Sequence, residues 1–102
     1  MRRLLYTLLL GTGMLVWNTS LFAQARQISG VILSEDDGKP LQGVTVTNRN
    51  TNVKVLTNTA GYYAITAQKG HVLIFTFVGY ATRNVTVADD NNISFRLQLE
   101  DK

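Results

Sequence analysis

A single histidine, His71, and two short acidic runs, Glu35-Asp36-Asp37 and Asp89-Asp90, are the groups of this 102-residue chain best suited to proton transfer or metal binding. General base catalysis needs a partner within hydrogen-bond reach, and His71 has no second histidine and no Gly-x-Ser-x-Gly segment to serve. It follows Gly70 and reads as a histidine at the edge of a turn. The acidic runs could ligate Ca²⁺, but neither has the Asp-x-Asp-x-Asp-Gly spacing of a calcium loop, and each falls where a solvated turn is expected. The chain has no cysteine, which removes disulfides, zinc ribbons, iron–sulfur ligation and thiol nucleophiles. No catalytic, cofactor-binding or metal-binding residue is assigned, no cofactor is called for, and the expectation is a protein that is not an enzyme.

The aromatic residues offer contact rather than reaction. Phe75, Phe77 and Phe95 alternate with other apolar positions and read as core. Tyr62 and Tyr63 are consecutive, so one of them must face outward in an extended strand. With Tyr80 they form the set of candidate exposed contact aromatics, Tyr62, Tyr63 and Tyr80, able to stack on a sugar ring or a protein partner. The only tryptophan is Trp17, which lies in the leader described next and weakens a lectin-like reading. Asn84-Val85-Thr86 and Asn92-Ile93-Ser94 match the glycosylation sequon, which matters only in a eukaryotic secretory pathway.

Arg2 and Arg3 precede an apolar run from Leu4 to Trp17, 14 residues interrupted by Gly11 and Gly13. A spanning helix needs about 20 apolar residues, so the run fits a secretory signal better than an anchor. Ala23-Gln24-Ala25 supplies the small-x-small pattern of a signal-peptidase site, defined by Ala23 and Ala25, with the cut expected after Ala25. The chain therefore divides into a signal peptide, residues 1–25, and one domain, residues 26–102. Removing the two leader arginines lowers the formal charge from +3 to +1, and the remaining cations are scattered. No cluster could track a phosphate backbone, so nucleic-acid binding is not expected. Val, Ile, Leu and Phe make up 23 of the remaining 77 residues, enough to fold rather than stay disordered.

The elements that must position these groups are strands. Ile93 to Glu100 alternates apolar and polar residues, as do Val44 to Thr47 and Val85 to Val87, and no segment holds apolar positions at helical spacing over ten residues. Val72 to Val78 is apolar on both faces, as suits a central strand. Turn residues separate the runs: Asp37-Gly38-Lys39-Pro40, Asn48 to Asn52, Thr59-Ala60-Gly61, Lys69-Gly70, Gly79-Tyr80 and Asp89 to Asn92. The spacing predicts seven strands, near 27–34, 43–48, 53–57, 62–67, 72–78, 82–87 and 93–99, in an all-β sandwich. Gly61 is expected at positive φ in the turn between the third and fourth strands.

Several of these motifs together resemble a known family. Ile28-Ser29-Gly30-Val31-Ile32 followed by Asp37-Gly38-Lys39-Pro40-Leu41-Gln42-Gly43-Val44-Thr45-Val46 is similar to the start of a carboxypeptidase-regulatory-like domain. Thr57-Asn58-Thr59-Ala60-Gly61-Tyr62-Tyr63 is similar to its Thr-Asp-x-x-Gly-x-Tyr/Phe turn, with Asn58 where the family usually has Asp. Leu73-Ile74-Phe75-Thr76-Phe77-Val78-Gly79-Tyr80 is similar to its Leu-x-Phe-Ser-Phe-Val-Gly-Tyr strand, with Thr76 where the family often has Ser.

The resemblance implies a transthyretin/prealbumin-like Greek-key β-sandwich. The Phe-Val-Gly-Tyr version most resembles the N-terminal extension of SusC/RagA-type TonB-linked outer-membrane transporters of Bacteroidota. There the domain is periplasmic and non-catalytic, and it precedes a TonB-interacting segment, a plug and a barrel. None of these follows Lys102, so the expectation is either a truncated transporter N-terminus or a stand-alone copy. The function implied is a periplasmic accessory or protein-interaction module of a TonB-dependent nutrient uptake system, localised in the periplasm or at the outer membrane, with a periplasmic or outer-membrane protein as partner. The alternative is a secreted carbohydrate-binding module that uses the exposed tyrosines.

Overall fold

The computed structural model describes residues 25–100. The expected signal peptide and Ala23 lie outside them, and Ala25 is exposed immediately before the first strand. Seven strands follow: β1 (Arg26–Ser34), β2 (Thr45–Asn48), β3 (Val53–Leu56), β4 (Tyr62–Ala67), β5 (Val72–Thr76), β6 (Arg83–Thr86) and β7 (Phe95–Leu97). They form a three-stranded sheet of order β4-β1-β7 and a four-stranded sheet of order β3-β2-β5-β6. This is the all-β, seven-stranded sandwich that the strand spacing predicts. No helix occurs among the described residues, in line with the absence of any 3.6-residue period.

The strands form where alternation lets one face be buried. Along β1 every second residue from Ile28 to Ser34 is buried, and β4 turns Tyr63, Ile65 and Ala67 inward. In the second sheet Val46, Leu73 and Phe75 face the same interior, so the core is a single cluster between two sheets. Phe75 stands edge-on to Tyr63 at 5.4 Å and to Phe95 at 4.9 Å, an arrangement that directs the positive ring edge at the negative ring face. β5 is central, paired antiparallel with β2 on one side and β6 on the other. That position explains its apolar run. Its outer residues, Val72, Ile74 and Thr76, are only part-covered.

β1 occupies the centre of the smaller sheet. It pairs antiparallel with β4 from Arg26↔Ala67 to Val31↔Tyr62, and parallel with β7 from Ile32↔Phe95 to Ser34↔Leu97. The structure shortens five expected strands: 43–48 becomes Thr45–Asn48, 53–57 becomes Val53–Leu56, 82–87 becomes Arg83–Thr86, and 93–99 and 72–78 are cut back by their neighbours. The segment expected as 93–99 is a ladder only at Phe95–Leu97, because β1 ends at Ser34 and turns away while the Glu35 amide donates to the Leu97 carbonyl at 3.0 Å. Beyond that point no β1 backbone remains to pair with. Residues 98–100 pair instead with the 79–81 turn: Ala81 N donates to Gln98 O and Glu100 N to Gly79 O. The segment expected as 72–78 stops at Thr76, since Phe77 opens the turn that Tyr80 N closes onto Phe77 O at 3.1 Å.

Candidate functional site

The turn that carries the chain from β3 in the larger sheet to β4 in the smaller, and presents Tyr62, is fastened by Thr57 and Asn58. The Thr57 hydroxyl is buried, donates to Leu41 O at 2.6 Å and accepts from Val44 N at 2.9 Å, joining the turn to the strand-two entry. Asn58 Oδ1 accepts from the amides of Ala60 at 2.9 Å and Tyr62 at 3.0 Å. Both bonds need only an oxygen acceptor, so the amide of Asn58 fills the position of an aspartate carboxylate. Gly61 has φ +77°, as its place in the turn predicts, and a Cβ there would lie 2.5 Å from Ile32 O.

The three candidate contact tyrosines differ in exposure. Tyr62 points outward and is 45% exposed. Tyr63 is 2% exposed and lies in the core, its hydroxyl donating to Ile93 O at 2.7 Å, so no partner can stack on it. Burial pushes the Tyr63 hydroxyl well above its ordinary pKa of 10.0, because the phenolate would have to leave water. Tyr80 is half-buried; its hydroxyl shares a 2.8 Å hydrogen bond with Ser34 Oγ and its ring packs 5.6 Å from Phe77. Tyr63 is therefore corrected from a candidate contact residue to a core residue. Tyr80 is a brace between the 79–81 turn and the end of β1, and Tyr62 alone presents its ring freely.

Apolar side chains that the sequence reading did not single out gather at the same end of the sandwich. β1 and β7 run toward this end, β2 and β4 start from it, and β3 and β5 finish there. It carries Leu56 at 65% exposure, Val78 at 91% and Leu99 at 48%, with Leu56 on the outer face of the larger sheet and Tyr62 on that of the smaller, while the exposed Val53 lies at the other end. Leu56 sits opposite Thr45, which sits opposite Thr76 across the outer face of the larger sheet. A shallow depression lined by Gly43, Thr45, Thr76, Phe77 and Val78 continues that row. The signal for Leu56 was legible: once Val55 is turned toward the core, its neighbour in an extended strand must face water. Val78 gave no such signal, because its exposure follows from the place where β5 stops.

The groups weighed for reaction chemistry are tied into turns. His71 Nδ1 accepts from the Gln68 amide at 3.2 Å and faces Asn48 Nδ2 at 3.1 Å, which places the ring proton on Nε2. Asn48, fully buried, also donates to Thr66 O and accepts from Asn50 N, closing the β2–β3 turn in which Asn52 takes φ 65°. Asp37 Oδ1 accepts from the Lys39 amide, and Asp89 meets Lys69 at 3.1 Å on the exposed surface. No group of three histidine, aspartate or glutamate side chains is placed to hold a metal ion among the described residues. Every buried side-chain nitrogen or oxygen among them has a hydrogen-bond partner within the fold.

With this geometry in hand, the model of the CarboxypepD_reg-like domain matches residues 28–102. The chain belongs to that family. It is similar to TonB-dependent receptor P26 of Formosa agariphila, 38% identical over 82 residues, a match covering 80% of this chain and 8% of that receptor. It is also similar to TonB-dependent receptor SusC of Bacteroides thetaiotaomicron, 25% identical over 79 residues, covering 78% of this chain and 8% of the receptor. The matched domain is thus a small part of each of these relatives. Among solved structures, a streptococcal ancillary pilin aligns with a TM-score of 0.46 at 13% identity, covering 74% of this chain and 32% of the pilin. No helix of the described residues is long and apolar enough to cross a membrane.

Proposed function

We propose that this CarboxypepD_reg-like domain is a non-catalytic, protein-contacting accessory module of a TonB-dependent outer-membrane nutrient transporter, working on the periplasmic side of the outer membrane. The carrying observation is the 38% identity, over four fifths of the chain, to a part of a TonB-dependent receptor. The exposed apolar end of the sandwich supports the reading. Val78, 91% exposed in a turn next to the depression lined by Thr76 and Phe77, offers apolar area that a protein partner can cover. The test is capture with the folded domain from a Bacteroidota periplasm and envelope extract. Recovery of a TonB-dependent transporter or a TonB-system component is expected, and its failure to recover either counts against the proposal.

A second reading, carbohydrate binding, keeps one specific support in the free ring of Tyr62, since a flat exposed aromatic face suits a sugar ring. Binding on a glycan array that is lost in Tyr62→Ala would favour it over the first reading.

A further inference from the structure

The described chain enters the sandwich at one end and leaves it at the other, through two neighbouring strands that run the same way. Arg26 opens β1 at the end opposite the Tyr62 turn, and β7, parallel to β1, carries the chain out past Leu97 beside that turn. Tension applied along the chain at Glu100 therefore pulls β7 lengthwise against β1. In a parallel pair the evenly spaced hydrogen bonds run slantwise from strand to strand, so a lengthwise pull loads many of them together instead of opening them singly.

The join between the two strands is longer than its ladder. Ser29 N donates to Asn91 O at 2.9 Å, Ile93 N to Ser29 O at 2.9 Å, Val31 N to Ser94 Oγ at 2.9 Å and Glu35 N to Leu97 O at 3.0 Å. The Tyr63 hydroxyl ties Ile93 to the core, and the Arg26 guanidinium reaches the carbonyls of Ala88 and Asp90 and the side chain of Asn91. Gly30 leaves space for the Ile93 carbonyl where a side chain would stand. β1 is in turn held along its other edge by β4 over six residue pairs.

We infer that the domain is a tension-bearing element, in which β1 and residues 91–97 form a shear clamp against load arriving through the chain at Glu100. The inference goes beyond the proposed association and does not depend on the partner's identity. Because the chain has no cysteine, engineered thiols define the points of attachment for single-molecule pulling. Full chains carrying Gln27→Cys with Glu100→Cys load the clamp in shear. Chains carrying Gln27→Cys with Lys69→Cys open β1 from β4 at the end where Arg26 faces Ala67, one pair at a time. The rupture force is expected to be at least about twofold higher in the first geometry, since bonds loaded together share the force. Ser94→Ala, which removes the acceptor of the Val31 amide, is expected to lower the force in the first geometry and leave the second unchanged. Equal forces in the two geometries, or an equal drop in both on Ser94→Ala, would overturn the inference.

Discussion

At the scale of single residues, the turn at Gly61 carries the most constraint. A valine there would hold a β-branched side chain at φ +77° and press its Cβ to 2.5 Å from Ile32 O and 3.2 Å from Pro40 Cβ. Strain of this kind costs on the order of 1–3 kcal/mol before any clash. Gly61→Val is expected to lose more than about 2 kcal/mol or fail to fold; a melting temperature within about 1 °C of the parent would contradict the turn assignment. Tyr63 gives a pH signature. Its hydroxyl is pushed above 10.0 in the fold, so above that pH the unfolded chain releases the proton first and the fold binds more protons than the unfolded state. Stability should be complete below pH 10 and decline as the pH rises through and beyond it. Tyr63→Phe should flatten that decline in alkaline denaturation while costing about 1 kcal/mol for the bond to Ile93 O. An unchanged alkaline slope would place the buried phenol elsewhere. The Gly61 conformation was readable because so few residue types tolerate positive φ. Which of two adjacent tyrosines turns inward was readable as well, since in an extended strand Tyr63 shares its face with Ile65 and Ala67 and Tyr62 shares its own with Ala64 and Thr66.

At the scale of elements, seven runs of the expected type form, and their central parts fall where alternation and turn residues put them. The ends differ for a physical reason that lies in the partner. β7 stops at Leu97 because β1 has turned away, and β5 stops at Thr76 because Phe77 has entered a turn. A strand's own residues do not record where its neighbour ends. The parallel pairing of β1 with β7 was equally hidden, as alternation looks the same in either direction. Gly30 is the local device that permits this pairing, since a Cβ would fall on the Ile93 carbonyl, a backbone atom that cannot swing aside. Gly30→Ala is therefore expected to loosen β7 before the larger sheet. Amide hydrogen exchange should speed at Ile93 and across residues 95–97 while Val46 and Phe75 stay protected. Retained protection at Ile93 in that variant would show that the close approach is not what seats the strand.

At the scale of the whole molecule, buried polar groups such as Ser34, Asn48 and Thr57 are spent on closing loops. Of the large apolar side chains left exposed among the described residues, Leu56, Tyr62, Val78 and Leu99 fall at one end of the sandwich, and Val53 falls at the other. Composition limits the groups for chemistry, since the chain has no cysteine and one histidine, but it does not say which polar groups close which loops. The collection of apolar residues at one end depends on strand direction and on where strands stop, which only the assembled sheets reveal. The proposal that this domain serves a TonB-dependent transporter through protein contact is put to the sharpest test by a crosslinker placed on its most exposed apolar residue. Val78→Cys gives the chain its sole thiol, and a benzophenone maleimide attached there samples whatever covers that turn in a Bacteroidota envelope extract. The expected result is a light-dependent adduct with a TonB-dependent transporter or TonB-system component that is missing when the same label sits at Asn84→Cys on β6. Adducts that contain neither component, or that form equally from both positions, would contradict the claim.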